Sequence, residues 1–451
     1  MYFYSSTNKT APQLNNEWGD MNRVINYILD GGEPFRLSKI EYIETNRVRI
    51  YADNIPFAMN ETILVNGSLN ESYNKKYIIE SINPVENSCV LYNSAIGEIP
   101  LPDDVNELLN ARINPCGMFK KFGGVEEQRT VFKSANGMEY RIDDRNFAEL
   151  LNPPVEFNSN WQKVCRVSMS DNYDSLDSAI GRLVPYNETR PTDNFMPDGN
   201  YIGEMFMIYN QANTRNNSTS GYDYIARSDT TYPRGKMNWR IFANERVMYI
   251  HIISSNSSDL FHQYTIGEYQ SHNNIKSAIL HTHCFNTAFT YVPTATSWDN
   301  RLGEPAHSYY SSIITSPRMC VTPQSFSNNT NKSVIFDADG NSNIFTNASH
   351  RPLLPMFNAS AETNSSGKGR IINNLYLSKT YLTNVPNVTA NAQYNNIYGE
   401  LIDILWFTHS FSSDRYSKIM INDELYIYII THSHYNSTLC SSEYLIKLDV
   451  P

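Results

Sequence analysis

The sequence predicts a mainly β protein, with an N-terminal helix and a small β-barrel-like module followed by a larger β-sandwich-type body carrying long loops. Three observations point there. Only 18% of the 451 residues are charged, against an average near ~25% for soluble domains, while 41% are hydrophobic. The missing charge is replaced by 54 Asn and by Ser and Thr, side chains that compete with a helical backbone for its hydrogen bonds and favour turns. Tyr, at 31 against 20 Phe, fits the half-buried surface of a strand.

Residues 1–35 read as an arm and an amphipathic helix. From Asn16 to Gly32, apolar residues fall at Met21, Val24, Ile25, Ile28 and Leu29, the stripe of a helix with one buried face. Asn15 or Asn16 is placed to cap its start, and Gly31 suits the left-handed position just past its end.

Residues 36–98 read as a compact β module. The runs 47–51, 62–65, 76–80 and 89–92 are rich in β-branched and aromatic residues and bounded by Asn, Gly, Pro or Ser. Strands this short at this spacing close into a small barrel or sandwich. Residues 99–118 are expected to be a linker with a short helix over 101–112, because Asp103 and Asp104 stand where a helix dipole favours acids.

A central β domain is expected over 119–280. Its clearest unit is 238–253, two strands around the turn Ala243-Asn244-Glu245-Arg246, with Trp239, Ile241, Val247, Tyr249 and His251 alternating as in strands with one buried face. Residues 281–372 are expected to be a loop-rich insertion, since Ser, Asn, Pro and Thr dominate 290–370. Residues 373–451 carry four further strand patterns that complete the body, with Asn422-Asp423 as a hairpin turn.

Charge and composition exclude several function classes. Thirty-six Lys and Arg against 46 Asp and Glu give −10, with no basic run beyond the pairs Lys75-Lys76 and Lys120-Lys121, so no nucleic-acid footprint is present. No stretch approaches the ~18 apolar residues of a membrane span. The first ten residues lack the pattern of a signal peptide, so a soluble protein made in a cytoplasm is expected. The Asn-x-Ser/Thr triplets at Asn8, Asn60, Asn66, Asn70 and Asn187 then carry no glycan. Six Cys without a CxxC pair are read as reduced, mostly buried thiols.

Candidate chemistry is sparse. His281, His283 and Cys284 in the run HTHC, and His432 and His434 in HSH, are the nearest to metal-ligand clusters, since strand residues two apart share a face; ordinary sheet histidines are the preferred reading. Asp143-Asp144, and Asp171 with Asp174 and Asp177, suggest acid–base or calcium chemistry on paper, but the latter set lacks the Gly and terminal Glu of an EF-hand loop. His251 reads as a packed sheet residue. No GxSxG, phosphate-binding Gly loop or HExxH is present. No catalytic residue, no metal and no cofactor is therefore expected. Abundant Tyr and Asn would also suit a glycan-binding face.

The order of several phrases resembles a family of uncharacterised virion structural proteins encoded among the morphogenesis genes of tailed bacteriophages. They are Ala11-Pro12-Gln13-Leu14 before a helix ending at Gly31; Tyr73 to Ile82; Asn114 to Gly123 with Thr130 to Ser134; Tyr140-Arg141-Ile142-Asp143-Asp144; Asn238 to Phe242 with Arg246 to Ile250; Ile266 to Ser271; and Tyr398 to Leu401 with Leu405 to His409. The resemblance runs from about residue 11 to 448, weakest over 280–370 and departing at 99–112. It carries over no catalytic or binding residues. What it implies is a place in the virion, assembled in the host cytoplasm, and a role in the tail, baseplate or neck, as a symmetric homo-oligomer contacting other virion structural proteins. A capsid decoration protein, a receptor- or carbohydrate-binding virion protein meeting a cell-surface glycan, and a virion-associated hydrolase are the alternatives.

Overall fold

The computed structural model describes residues 1–15, 17–146, 164–184, 205–208, 236–253, 261–271, 278–284, 319–321, 334–335, 348–353, 372–381, 393–407, 416–435 and 438–451. The protein is mainly β, with four antiparallel sheets and, among the described residues, one α-helix.

The helix, Asp20–Asp30, buries Met21, Val24, Ile25, Ile28 and Leu29 as their spacing requires. It is also buried on its polar side. Asn26 donates to Thr130 Oγ1 (2.8 Å), Thr130 donates to Asn22 Oδ1 (2.8 Å), and Asn22 Nδ2 donates to Gly124 O (2.8 Å). These bonds satisfy amides that burial would otherwise penalise. Its start is capped from afar: Gly19 occupies the cap position, and the backbone N–H of Asn22 donates to Asp144 Oδ2 (3.1 Å). The cap expected from Asn15 does not form, because the helix starts only at Asp20, further along the chain, and the Asn15 backbone N–H instead donates to Asp20 Oδ2 (2.6 Å); Asn16 lies outside the described residues. Gly31 ends the helix with φ 86° and donates to Tyr27 O. A Cβ there would lie 2.5 Å from Ile113 O, so packing as well as backbone conformation demands glycine.

The small module is a closed barrel. Strands Phe35–Arg36, Asn110–Ile113, Thr62–Asn66, Lys76–Asn83, Ser88–Tyr92, Arg47–Tyr51 and Lys39–Glu44 pair in that order. The ring closes through one bent segment: Leu37 N donates to Leu109 O (3.0 Å), extending the first pair, and Ile40 of the last strand exchanges backbone bonds of 3.0 and 2.9 Å with Asp104, just before the second strand. Closure removes the sheet edge that would otherwise be open to pairing. The module therefore runs past residue 98 to Ile113. No helix forms over 101–112: Asp104 instead accepts from Leu69 N (2.6 Å) and from Ser68 Oγ, and Asp103 pairs with Lys39 (2.8 Å), so both acids serve loops rather than a helix dipole.

The expected central domain consists of two sheets. A bridging sheet joins strands Phe119–Gly124, Arg129–Lys133, Glu139–Asp143, Val164–Tyr173 and Ala179–Val184, with Met205–Ile208 beside the fourth. Alternation sends Phe132, Tyr140, Ile142, Val167 and Met169 into the large core shared with the barrel and helix. A central sheet follows, ordered Tyr2–Ser5, Asn238–Ala243, Val247–Ile253, Phe261–Gly267, Ile279–Cys284, Met319–Val321 and Val334–Ile335. The hairpin expected at 243–246 is present, its turn tied by Asn244 Oδ1 accepting from Arg246 N (2.9 Å) and Val247 N (3.0 Å).

The one-sided burial expected for this hairpin does not hold. Trp239, Ile241, Met248, Ile250 and Ile252 enter the core on one side. Phe242, Val247, Tyr249 and Ile253 enter a second core on the other, with Leu401, Ile404, Leu425, Ile427, Ile429 and Ile446 of the C-terminal sheet. The central sheet is thus covered on both faces. The C-terminal sheet orders Ala348–Leu353, Ile372–Tyr381, Gln393–Phe407, Thr438–Lys447, Glu424–Tyr435 and Lys418–Ile421, with Gln270–Ser271 beside the third. Asn422 and Asp423 form its hairpin turn with φ 49° and 64°, as that turn type needs. Within 290–370, three segments are strands and the rest lies outside the described residues.

Candidate functional site

The described residues contain no group of three or more His, Cys, Asp or Glu arranged to hold a metal ion. His281, His283 and Cys284 lie on strand Ile279–Cys284 of the central sheet, and His432 and His434 on strand Glu424–Tyr435 of the C-terminal sheet, so the two runs belong to different layers. Their side chains lie outside the described residues. Cys89, Cys116 and Cys165 are buried and form no disulfide. Burial pushes the Cys116 thiol up to about 12, which leaves it protonated and unreactive near neutrality.

Of the acidic candidates, Asp143 and Asp177 are held in ion pairs and Asp144 caps the helix, while Asp171 lies on strand Val164–Tyr173. Asp143 receives Arg145 Nε (3.0 Å) and Nη2 (2.7 Å), and Arg166 Nη2 lies 2.7 Å from it. Burial raises its carboxyl, but the bonds from Arg145 and the charge of Arg166 outweigh that and bring it down to about 2. Asp143 is thus ionised near neutrality and paired with two arginines. Asp144 caps the helix, Asp177 pairs with Arg129, and Asp174 N closes a turn onto Ser178 O. Beside them Lys121 Nζ contacts Glu139 (2.9 Å), Asn172 Oδ1 (2.8 Å) and Tyr173 O (2.6 Å), while the Arg141 guanidinium lies 5.4 Å over the Tyr173 ring.

Two further buried polar groups join layers. His251 faces the C-terminal sheet, with Tyr444 Oη 3.1 Å from its Nε2 and Tyr416 Oη 3.4 Å from its Nδ1. Glu61 ties the N-terminal strand to the barrel, accepting from Ser5 N (3.1 Å), Asn8 Nδ2 (2.8 Å) and Ala58 N (2.7 Å). Burial pushes its carboxyl up, the three donors oppose this, and it stands at about 8.

What the molecule presents to solvent is different in kind. One rim of the barrel carries Leu69, Ile99, Val105 and Leu108, exposed by 79, 79, 69 and 71%. The backbone beneath them is anchored. Asp104 is buried and pairs with Ile40, Tyr73 Oη donates to Leu101 O (3.4 Å), Tyr42 Oη donates to Glu98 O (3.2 Å), and Leu109 is fully buried. The two rim loops touch: Gly67 has φ 76°, and a Cβ there would lie 2.0 Å from Leu108 O. Apolar side chains held outward by a fixed backbone form a surface suited to contact with another protein.

Sequence reading placed a helix on this rim and so missed it. Local pattern gave no warning, since Pro102 fits the first turn of a helix; the chain over 101–109 is instead drawn to Ile40 and the 68–69 loop.

No protein family matches this chain, and no curated protein does. Among solved structures, the chain is similar to the Phage phi92 endosialidase at 9% identity and a TM-score of 0.16, covering 93% of this chain and 52% of that one. The chain thus spans about half the length of that structure, and a likeness at this score carries no argument about fold or function. No helix among the described residues is long and apolar enough to cross a membrane.

Proposed function

We propose that this chain is a structural component of a tailed-phage virion, in the tail, baseplate or neck, and that it acts by burying surface against neighbouring virion proteins. The observation that carries the reading is the barrel rim, where four large apolar side chains stand in solvent on an anchored backbone. The collinear phrases between residues 11 and 448 that resemble virion structural proteins supply the context. Asp143, Asp144, His251 and Glu61 take structural roles in this reading, and no catalytic step is assigned to the chain. A symmetric homo-oligomer is part of the proposal, since closed symmetry is the common state of such assemblies.

Mass spectrometry of purified virions tests the place: the chain is expected among the particle proteins, and its absence overturns the reading. Light scattering of the purified chain tests the oligomer, with a mass above one copy as the expected result.

A further inference from the structure

The barrel rim carries exposed acids beside its apolar side chains, with the half-buried cation Lys75 at its border, where Nζ donates to Ala95 O (3.1 Å). From Tyr77 to Ala111 the chain contains no Lys, Arg or His, but it contains Glu80, Glu86, Glu98, Asp103, Asp104 and Glu107. Two of these are neutralised by cations from elsewhere, Glu80 by Arg47 (2.6 Å) and Asp103 by Lys39 (2.8 Å), and Asp104 is buried among loop donors. Glu98 and Glu107 flank Ile99 and Leu108 directly, are exposed, and form no salt bridge among the described residues. Glu71, two residues beyond Leu69, is exposed as well and contacts only the amide of Asn74 (3.2 Å) among the described residues.

Unneutralised carboxylates around an apolar patch select what docks on it. A partner that brings lysines or arginines to the edge of an apolar patch gains complementary potential, whereas like charge across the contact repels. A second copy meeting rim to rim would set Glu98, Glu107 and Glu71 against their own equivalents, because a two-fold contact uses the same patch on both sides. We infer that residues 67–71 and 98–108 dock this chain onto a different protein, one that presents apolar side chains ringed by Lys and Arg. This rests on the assembly reading above and names the partner chemistry of that surface.

The test is photo-cross-linking in assembled particles. The chain with Leu69→p-benzoylphenylalanine or Leu108→p-benzoylphenylalanine replaces the natural one during infection, the purified particles are irradiated, and the cross-linked peptides are sequenced by mass spectrometry. Both positions are expected to capture another virion chain at a peptide with Lys or Arg beside apolar residues. The same probe at Val85, exposed on the turn between two barrel strands, is expected to capture nothing. In parallel, the double variants Leu69→Ser with Leu108→Ser and Glu98→Lys with Glu107→Lys are expected to lower the copies per particle about tenfold, the scale of losing an interface hot spot, with circular dichroism and melting unchanged. Cross-links to a second copy, no cross-link from a chain present in the particle, or unchanged copy number in both variants would overturn the rim as this docking surface and leave the assembly reading standing. Absence of the natural chain from the particle would overturn both.

Discussion

In the barrel, strand Arg47–Tyr51 buries Val48 and Ile50 and turns Arg47, Arg49 and Tyr51 toward the outside, whereas in the central sheet all seven residues of Val247–Ile253 are buried. Both are short antiparallel strands, and their difference comes from what covers them. The barrel closes on itself, so its inward residues make a core, and although part of its outside packs on the helix and other sheets, its rim at 67–71 and 98–108 remains exposed. The central sheet lies between the barrel side and the C-terminal sheet, so it has no free face left for a partner. A surface role therefore falls to the barrel, and the central sheet supplies cohesion.

The sharpest test of this contrast is on the central sheet. Trp239→Ala and Phe242→Ala remove rings from opposite faces, and each is expected to lower stability by about 3 to 5 kcal/mol in chemical denaturation. A change under about 0.5 kcal/mol for either would mean that its face meets solvent. On the bridging sheet, Asp143→Asn removes the buried carboxylate that pairs with Arg145 and Arg166 and is expected to cost about 3 kcal/mol. The ionised form of Asp143 is favoured by folding, so its contribution is present above about pH 4 and is lost as pH falls toward 2.

Glu61 has the opposite sign. Its carboxyl stands at about 8 in the folded chain against an ordinary value near 4.5, so folding favours the protonated form. Its contribution is complete below about pH 4.5 and is lost as pH rises through 8. Glu61→Gln is expected to flatten the dependence of melting temperature on pH in that window, and an unchanged slope would show that the junction between the N-terminal strand and the barrel does not titrate.

Within the barrel, Ile50→Ala is expected to cost about 2 kcal/mol or more, and Arg49→Ala no more than about 0.5 kcal/mol, which measures the inward–outward alternation directly. The smallest effect belongs to the rim. Leu108→Ser is expected to change the stability of the isolated chain by less than about 0.5 kcal/mol, because the side chain is mostly in solvent before and after.

Much of this fold is legible in local pattern. The helix face, Gly31, the hairpin turns at 244–245 and 422–423 and the four barrel strands at 47–51, 62–66, 76–83 and 88–92 follow from side-chain periodicity and turn chemistry, which act over a few residues, whereas barrel strand Asn110–Ile113 falls where a helix is expected. What escaped depends on residues distant in the chain. Asp144 caps a helix more than a hundred residues earlier, Asp104 leaves a helical pattern to join Ile40, and both faces of 247–253 are claimed by separate cores. A run such as VMYIHII is compatible with one buried face or two, because alternation is visible only when one side is polar.

The sequence by itself determined the β class, the position of the helix, the turns, and an acid-rich stretch without cations between 77 and 111. Only the tertiary structure decided which acids are neutralised, which apolar residues remain in water, and which face of each sheet is closed. Burial and ion pairing are properties of neighbours in space, and the neighbours of Glu61, Asp143 and Leu69 come from segments that local pattern does not connect.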